Sequence, residues 1–98
     1  MTEITKAQTR TIEDLRKRYA PREGYEFKQN EIRIQPWDET SGEYSLFLIL
    51  ETGLINDEGT AAAIFARDHR MFMIGKRGGI RTHNGKTWVR GDTGDTYL

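Results

Sequence analysis

Gly85-Lys86-Thr87 has the ending of a phosphate-binding loop, and it is where spacing first suggests chemistry. The full pattern is G-x-x-x-x-G-K-[ST], in which backbone N–H groups cradle phosphates and the Lys reaches them at the start of a helix. The position five before Gly85 is Ile80, and Gly79 comes one residue too early. After Lys86-Thr87 the chain reads Trp88-Val89-Arg90-Gly91-Asp92-Thr93-Gly94, with two glycines in four residues and no helical stripe. Asn84-Gly85 is instead the strongest short hairpin signal, because both central positions of a type I′ turn need positive φ. The stretch is therefore expected to be a β-hairpin. It should pair His83 with Lys86, Thr82 with Thr87, Arg81 with Trp88 and Ile80 with Val89.

Other short matches carry less. Asp92-Thr93-Gly94 resembles the core triplet of aspartic proteases, but Arg90-Gly91 precede it and only four residues follow. That leaves no room for further sheet or a flap, and residues 92–98 are read as a short polar tail. Arg90-Gly91-Asp92 spells the integrin-recognition tripeptide, with nothing else to suggest secretion. Gly75-Lys76-Arg77-Gly78 resembles the G-x-x-G loop of KH domains, which clamps nucleic-acid backbone between helices. The residues after it, Gly79, Thr82, His83, Asn84 and Gly85, are poor helix material, so a tight turn presenting Lys76 and Arg77 is expected instead.

Catalytic groupings are no better supported. His69 and His83 could hold zinc only if the fold brought them together with a carboxylate such as Asp68, and their spacing fits no ligand pattern. Ser41 lies near Glu43 with no His nearby, and Ser45 is no better placed. The adjacent pairs Glu13-Asp14 and Asp57-Glu58 diverge rather than converge. Cysteine is absent, which removes disulfides, thiolate metal sites and Cys nucleophiles together. The expectation is a protein that is not an enzyme and uses neither cofactor nor metal.

One constellation remains. Strand alternation puts Ile80, Thr82, Thr87 and Val89 on one face of the hairpin and Arg81, His83, Lys86, Trp88 and Arg90 on the other. An indole among cations suits single-stranded nucleic acid, where bases stack at roughly 1–3 kcal/mol each. It also suits a protein anchor, since Trp and Arg are common hot-spot residues. With Lys76 and Arg77 these are the candidate binding residues.

The elements that must hold this face are legible in outline. In a chain of 98 residues, 36% hydrophobic and 31% charged, one modest core under a charged surface is expected, hence a single domain. Net charge is zero but segregated: residues 38–58 carry six acidic and no basic residues, while residues 67–90 carry seven basic residues and only Asp68. Such asymmetry can orient a partner, or the two segments can pair within the fold. The longest apolar run, Leu46 to Leu50, is far short of a membrane span, and no signal core opens the chain, so a cytoplasmic protein is expected.

Residues 5–20 read as a helix: Thr5 with Gln8 forms a capping box, Ile12, Leu15 and Tyr19 share a face, and Pro21 closes it. From Tyr25 the period becomes two. Tyr25/Phe27 and Ile32/Ile34 alternate out of register with each other, so a turn or bulge is expected at Gln29-Asn30. The stretch 43–51, apolar on both faces, should be a central strand. Residues 60–74 fit a helix capped by Thr60 or a hairpin turning at residues 67–70 that pairs Phe65 with Phe72. The hairpin, which also pairs Ile64 with Met73, is preferred because it buries all four of these residues, whereas a helix would place Asp68 in the middle of its apolar face. The fold expected is α+β, one N-terminal helix packed on a mainly antiparallel sheet of five to six strands, with strand 43–51 in the middle. The function expected is non-enzymatic binding of nucleic acid or a nucleoprotein through the basic, Trp-bearing hairpin. The alternative is a protein–protein module or small inhibitor, like phage accessory proteins, docking through the acidic segment 38–58 or the Trp88 surface.

Overall fold

The computed structural model describes residues 4–34, 46–57 and 59–97. Helix α1 (Lys6–Arg18) begins at the expected cap: the Thr5 hydroxyl accepts from Gln8 N, and Gln8 Oε1 accepts from Thr5 N. Among the described residues five strands follow, β1 (Tyr25–Ile34), β2 (Leu46–Leu54), β3 (Asp68–Ile74), β4 (Ile80–His83) and β5 (Trp88–Arg90), with a one-turn helix α2 (Ala61–Phe65) before β3. The sheet is an antiparallel meander in which spatial order equals chain order. This is the α+β arrangement expected from the sequence. Among the described residues no helix is long and apolar enough to cross a membrane.

α1 lies on one face of the sheet. Ile12 and Leu15 pack against Leu46, Leu48 and Leu50 of β2 and Phe72 and Ile74 of β3, with Tyr19, Phe27 and Ile80 at the margin. The buried stripe of α1 passes through polar residues as well as apolar ones. Gln8 is only 3% exposed and donates from Nε2 to the Ile74 carbonyl. Thr5 and Thr11 donate their hydroxyls to the carbonyls of Lys76 and Gly78. Buried amides and hydroxyls are tolerated when hydrogen-bonded, so the helix docks partly through its polar positions.

The β1 irregularity is a bulge between Phe27 and Gln29, not a turn, and it lies just before the expected place. The extra residue resets the alternation, so Tyr25, Phe27, Ile32 and Ile34 all point to the α1 side. Since residues 25–34 therefore remain one strand, β2 is second in the sheet and β3 is the middle strand. This corrects the placement of strand 43–51 at the centre; residues 43–45 themselves lie outside the described residues.

Residues 60–74 combine halves of both readings. Thr60 caps α2, its hydroxyl accepting from Ala63 N, and the chain enters β3 at Asp68 with no hairpin at residues 67–70. Pairing of β3 with β2 and β4 outcompetes a local hairpin: Phe72 sits between Leu48 and Thr82 and is fully buried, while Phe65 is 87% exposed. The tail is docked rather than loose. Asp92 accepts from Tyr19 Oη at 2.6 Å and pairs with Arg18, while Tyr97 N donates to His69 O.

Candidate functional site

The face of the sheet opposite α1 is built by the alternate residues. Along one line Arg33 faces Phe47, Phe47 faces Met73, and Met73 faces Arg81. Beside it Glu31 faces Ile49 and Ile49 faces Met71, and on the hairpin His83 faces Trp88. Ile49 is buried, whereas Phe47, Met71, Met73, His83 and Trp88 are half-buried and Arg81 and Arg90 exposed. The Trp88 indole stacks on Phe47, ring centroids 5.6 Å apart and planes 23° apart. His83 meets the indole edge-on at 4.9 Å.

The hairpin reading of residues 80–90 stands, but its register does not. Thr82 pairs with Val89 and His83 with Trp88, so the loop is Asn84 to Thr87, four residues long. Only Gly85 takes positive φ; Asn84 does not, and a two-residue type I′ turn is thereby excluded. Asn84 instead uses its side chain, Oδ1 accepting from the N–H groups of Lys86 and Thr87, while Gly85 N donates to His83 Nδ1. The pairing is displaced by two positions, and because side chains alternate with period two, every strand residue keeps its expected face. What changes is the neighbour: Trp88 lies opposite His83, not Arg81.

The candidate residues therefore separate into groups. Arg81, His83, Trp88 and Arg90 share the face opposite α1. Lys86 is exposed in the hairpin loop, outside the ladder. Lys76 and Arg77 belong to the β3–β4 turn, closed by Gly75 N to Gly79 O and Gly78 N to Gly75 O, which receives the N-terminal part of α1. It is a turn between strands, without the second helix a KH loop requires.

Several neighbours were not visible in the sequence. Tyr97 sits between the two histidines, its ring centroid 5.5 Å from His69 and 4.6 Å from His83. Glu51 Oε2 lies 3.8 Å from His69 Nδ1, and Asp68 lies beside Arg70 on the other face of β3. Among the described residues no three metal-ligating side chains converge. Tyr97 lies 14 residues beyond His83 in an irregular tail, so no spacing in the sequence signalled the contact.

Part of the acidic segment is engaged internally. Arg67 binds Asp57 through Nε at 2.9 Å and also through Nη2, and its Nη1 lies 3.6 Å from Glu51. The Gly59 N–H first, and then Arg67, hold the Asp57 carboxyl below the ordinary carboxylate range. Residues 38–45 lie outside the described residues, so the docking role expected of them is untouched by this geometry. Asp92 is likewise structural: burial pushes its pKa up, but hydrogen bonds from Tyr19, Arg18 and the Gly94 N–H outweigh that and bring it below the usual value. Comparison with protein families, curated protein sequences and solved structures found no match, so the site is read from its own geometry.

Proposed function

We propose that this is a non-enzymatic binding protein, acting in the cytoplasm, whose working surface is the sheet face opposite α1. The partner proposed is nucleic acid, single-stranded or exposed in a nucleoprotein. The observation that carries the reading is the near-parallel Phe47–Trp88 stack on the same face as Arg81 and Arg90. A rigid aromatic pair gives bases a surface to stack on with little side-chain entropy lost, and flanking guanidiniums meet phosphates without demanding a sequence. Lys86, on the loop at the end of the hairpin, extends the cationic track.

Met71, Met73 and Phe47 on the same face favour a second reading, a partner protein with an apolar patch, since Met and aromatic residues are enriched at interface centres. Salt separates the two. Anisotropy of a labelled single-stranded oligonucleotide, titrated across ionic strength, should give a log–log slope near −0.7 per phosphate contact. Arg81→Ala and Arg90→Ala should each flatten that slope by about one contact, and Trp88→Ala should lower affinity without changing it. For a protein partner, Trp88→Ala should instead cost about 2 kcal/mol or more, with the arginines near-neutral and little salt dependence. If the triple substitution of Arg81, Lys86 and Trp88 folds normally and retains full partner binding, this face is scaffold.

A further inference from the structure

The outer edge of the sheet carries a different surface. Among the described residues β1 is paired only on its β2 side, and its last five residues, Asn30 to Ile34, are all exposed. Ile32 and Ile34 point to the α1 side beside Leu48 and Leu46, yet they are 37% and 46% exposed where those leucines are covered. The helix reaches this strand at Asn30, whose Oδ1 accepts from Arg16 Nε. On the opposite face Glu31 and Arg33 form an ion pair at 2.9 Å. A long edge with uncovered apolar residues is a template for another strand.

We infer that this edge binds a second copy of the chain, antiparallel, across a two-fold axis at Ile32. The charges select that register over the two next to it. An axis at Glu31 would set two carboxylates directly opposite each other, and an axis at Arg33 would set two guanidiniums opposite each other, both destabilising. An axis at Ile32 sets Glu31 opposite Arg33 of the partner subunit, twice by symmetry, and Ile32 opposite Ile32 of the partner subunit. A longer register, centred between Gln29 and Asn30, also opposes unlike charges. It puts the bulge of both copies on the axis, where Gln29 and Asn30 face opposite sides of the sheet and cannot oppose each other.

The pairing answers the exposure of the isoleucines. On the α1 side Ile32 meets Ile32 of the partner subunit, with Ile34 of each copy diagonal to that central pair and opposite Asn30 of the partner subunit, and the four charges alternate on the other side. With the two-fold axis normal to the sheet, both helices lie on one side and both Trp88 faces on the other. The inference stands independently of what the Trp88 face binds.

Sedimentation velocity from micromolar to submillimolar protein tests it. The unmodified chain should show a concentration-dependent dimer. Arg33→Glu and Glu31→Arg should each weaken association by about tenfold or more, because both cross-strand pairs become repulsive. Circular dichroism checks that each variant remains folded. An equimolar mixture of the two variants should regain association, since one supplies two carboxylates and the other two guanidiniums in matching positions. A chain that stays monomeric throughout overturns the inference. So do single variants that dimerise as the unmodified chain does, a mixture that fails to associate, or a dimer abolished by Trp88→Ala and indifferent to the β1 charges.

Discussion

Gly85→Ala brings together two costs that belong to different atoms, and a second glycine allows them to be measured apart. Gly85 has φ 93°, a region where a Cβ crowds its own backbone at roughly 1–2 kcal/mol. A Cβ there would also stand 2.8 Å from the carbonyl oxygen of Tyr97, a backbone atom that no rotamer change can move aside. The tail must give way. Tyr97 is held by its N–H bond to His69 O and by its ring contacts with His69 and His83. Losing one hydrogen bond and loosening the aromatic contacts costs about 1–3 kcal/mol. Gly24 has φ 84° with nothing within 4 Å of its hypothetical Cβ, so Gly24→Ala carries only the first cost. Urea denaturation should therefore show a loss of about 2–5 kcal/mol for Gly85→Ala against about 1–2 kcal/mol for Gly24→Ala, with unchanged slopes. In a chain shortened after Thr96, the Gly85→Ala cost should fall to the Gly24→Ala value. Equal losses for the two glycines in the full chain would refute the reasoning that Tyr97 closes over the loop.

Leu48→Ala, at a position with no solvent exposure, should cost about 2–5 kcal/mol by chemical denaturation, and half-buried Phe47→Ala should cost less than Phe72→Ala, whose ring is fully buried; the reverse order of the two Phe variants would mean the α1 face is not the core. Phe65→Ser should stay within about 0.5 kcal/mol of the unmodified protein, and a large loss would show that the ring is covered in solution. Asp92 titrates below its unfolded value near ~3.9, so its stabilisation is complete above that pH and disappears as pH falls through the lower folded value. Asp92→Asn should consequently cost about 1.5–3 kcal/mol at neutral pH, with the two stability curves converging in acid; a gap independent of pH would exclude Asp92 as the ionised staple between α1 and the tail.

The legible parts of the fold are those set by neighbours along the chain. Thr5 and Gln8 cap each other within one turn and Pro21 cannot continue a helix, whereas the Thr60 cap, present in the sequence, is outweighed there by the preferred hairpin. The phase break between Phe27 and Ile32 announced a turn or a bulge because a strand has only two faces, and the bulge found is the smallest change that realigns them. Except for Lys86, which falls in the loop, the basic face of the hairpin survived a wrong register for the same reason. A displacement by two positions changes partners and leaves faces alone.

Tertiary structure decided the rest, where the competing local states were close in energy or the partners were far apart in sequence. Residues 68–74 are strand because β2 offers a ladder along their whole length and β4 a second one from Phe72 to Ile74, a gain no local turn at residues 67–70 could match. Asn84-Gly85 became part of a four-residue loop because His83 Nδ1, the Asn84 side chain and the Tyr97 carbonyl satisfy and enclose it, removing the need for positive φ at Asn84. Trp88 was visible as an aromatic among cations, but its stack on Phe47 depends on three intervening strand pairings, each set by burial rather than spacing. Local hydrogen bonding and alternation act over a few residues and can be read from the chain directly. Which half-buried rings meet across the sheet depends on the register of the whole meander, and that is determined only when the core closes.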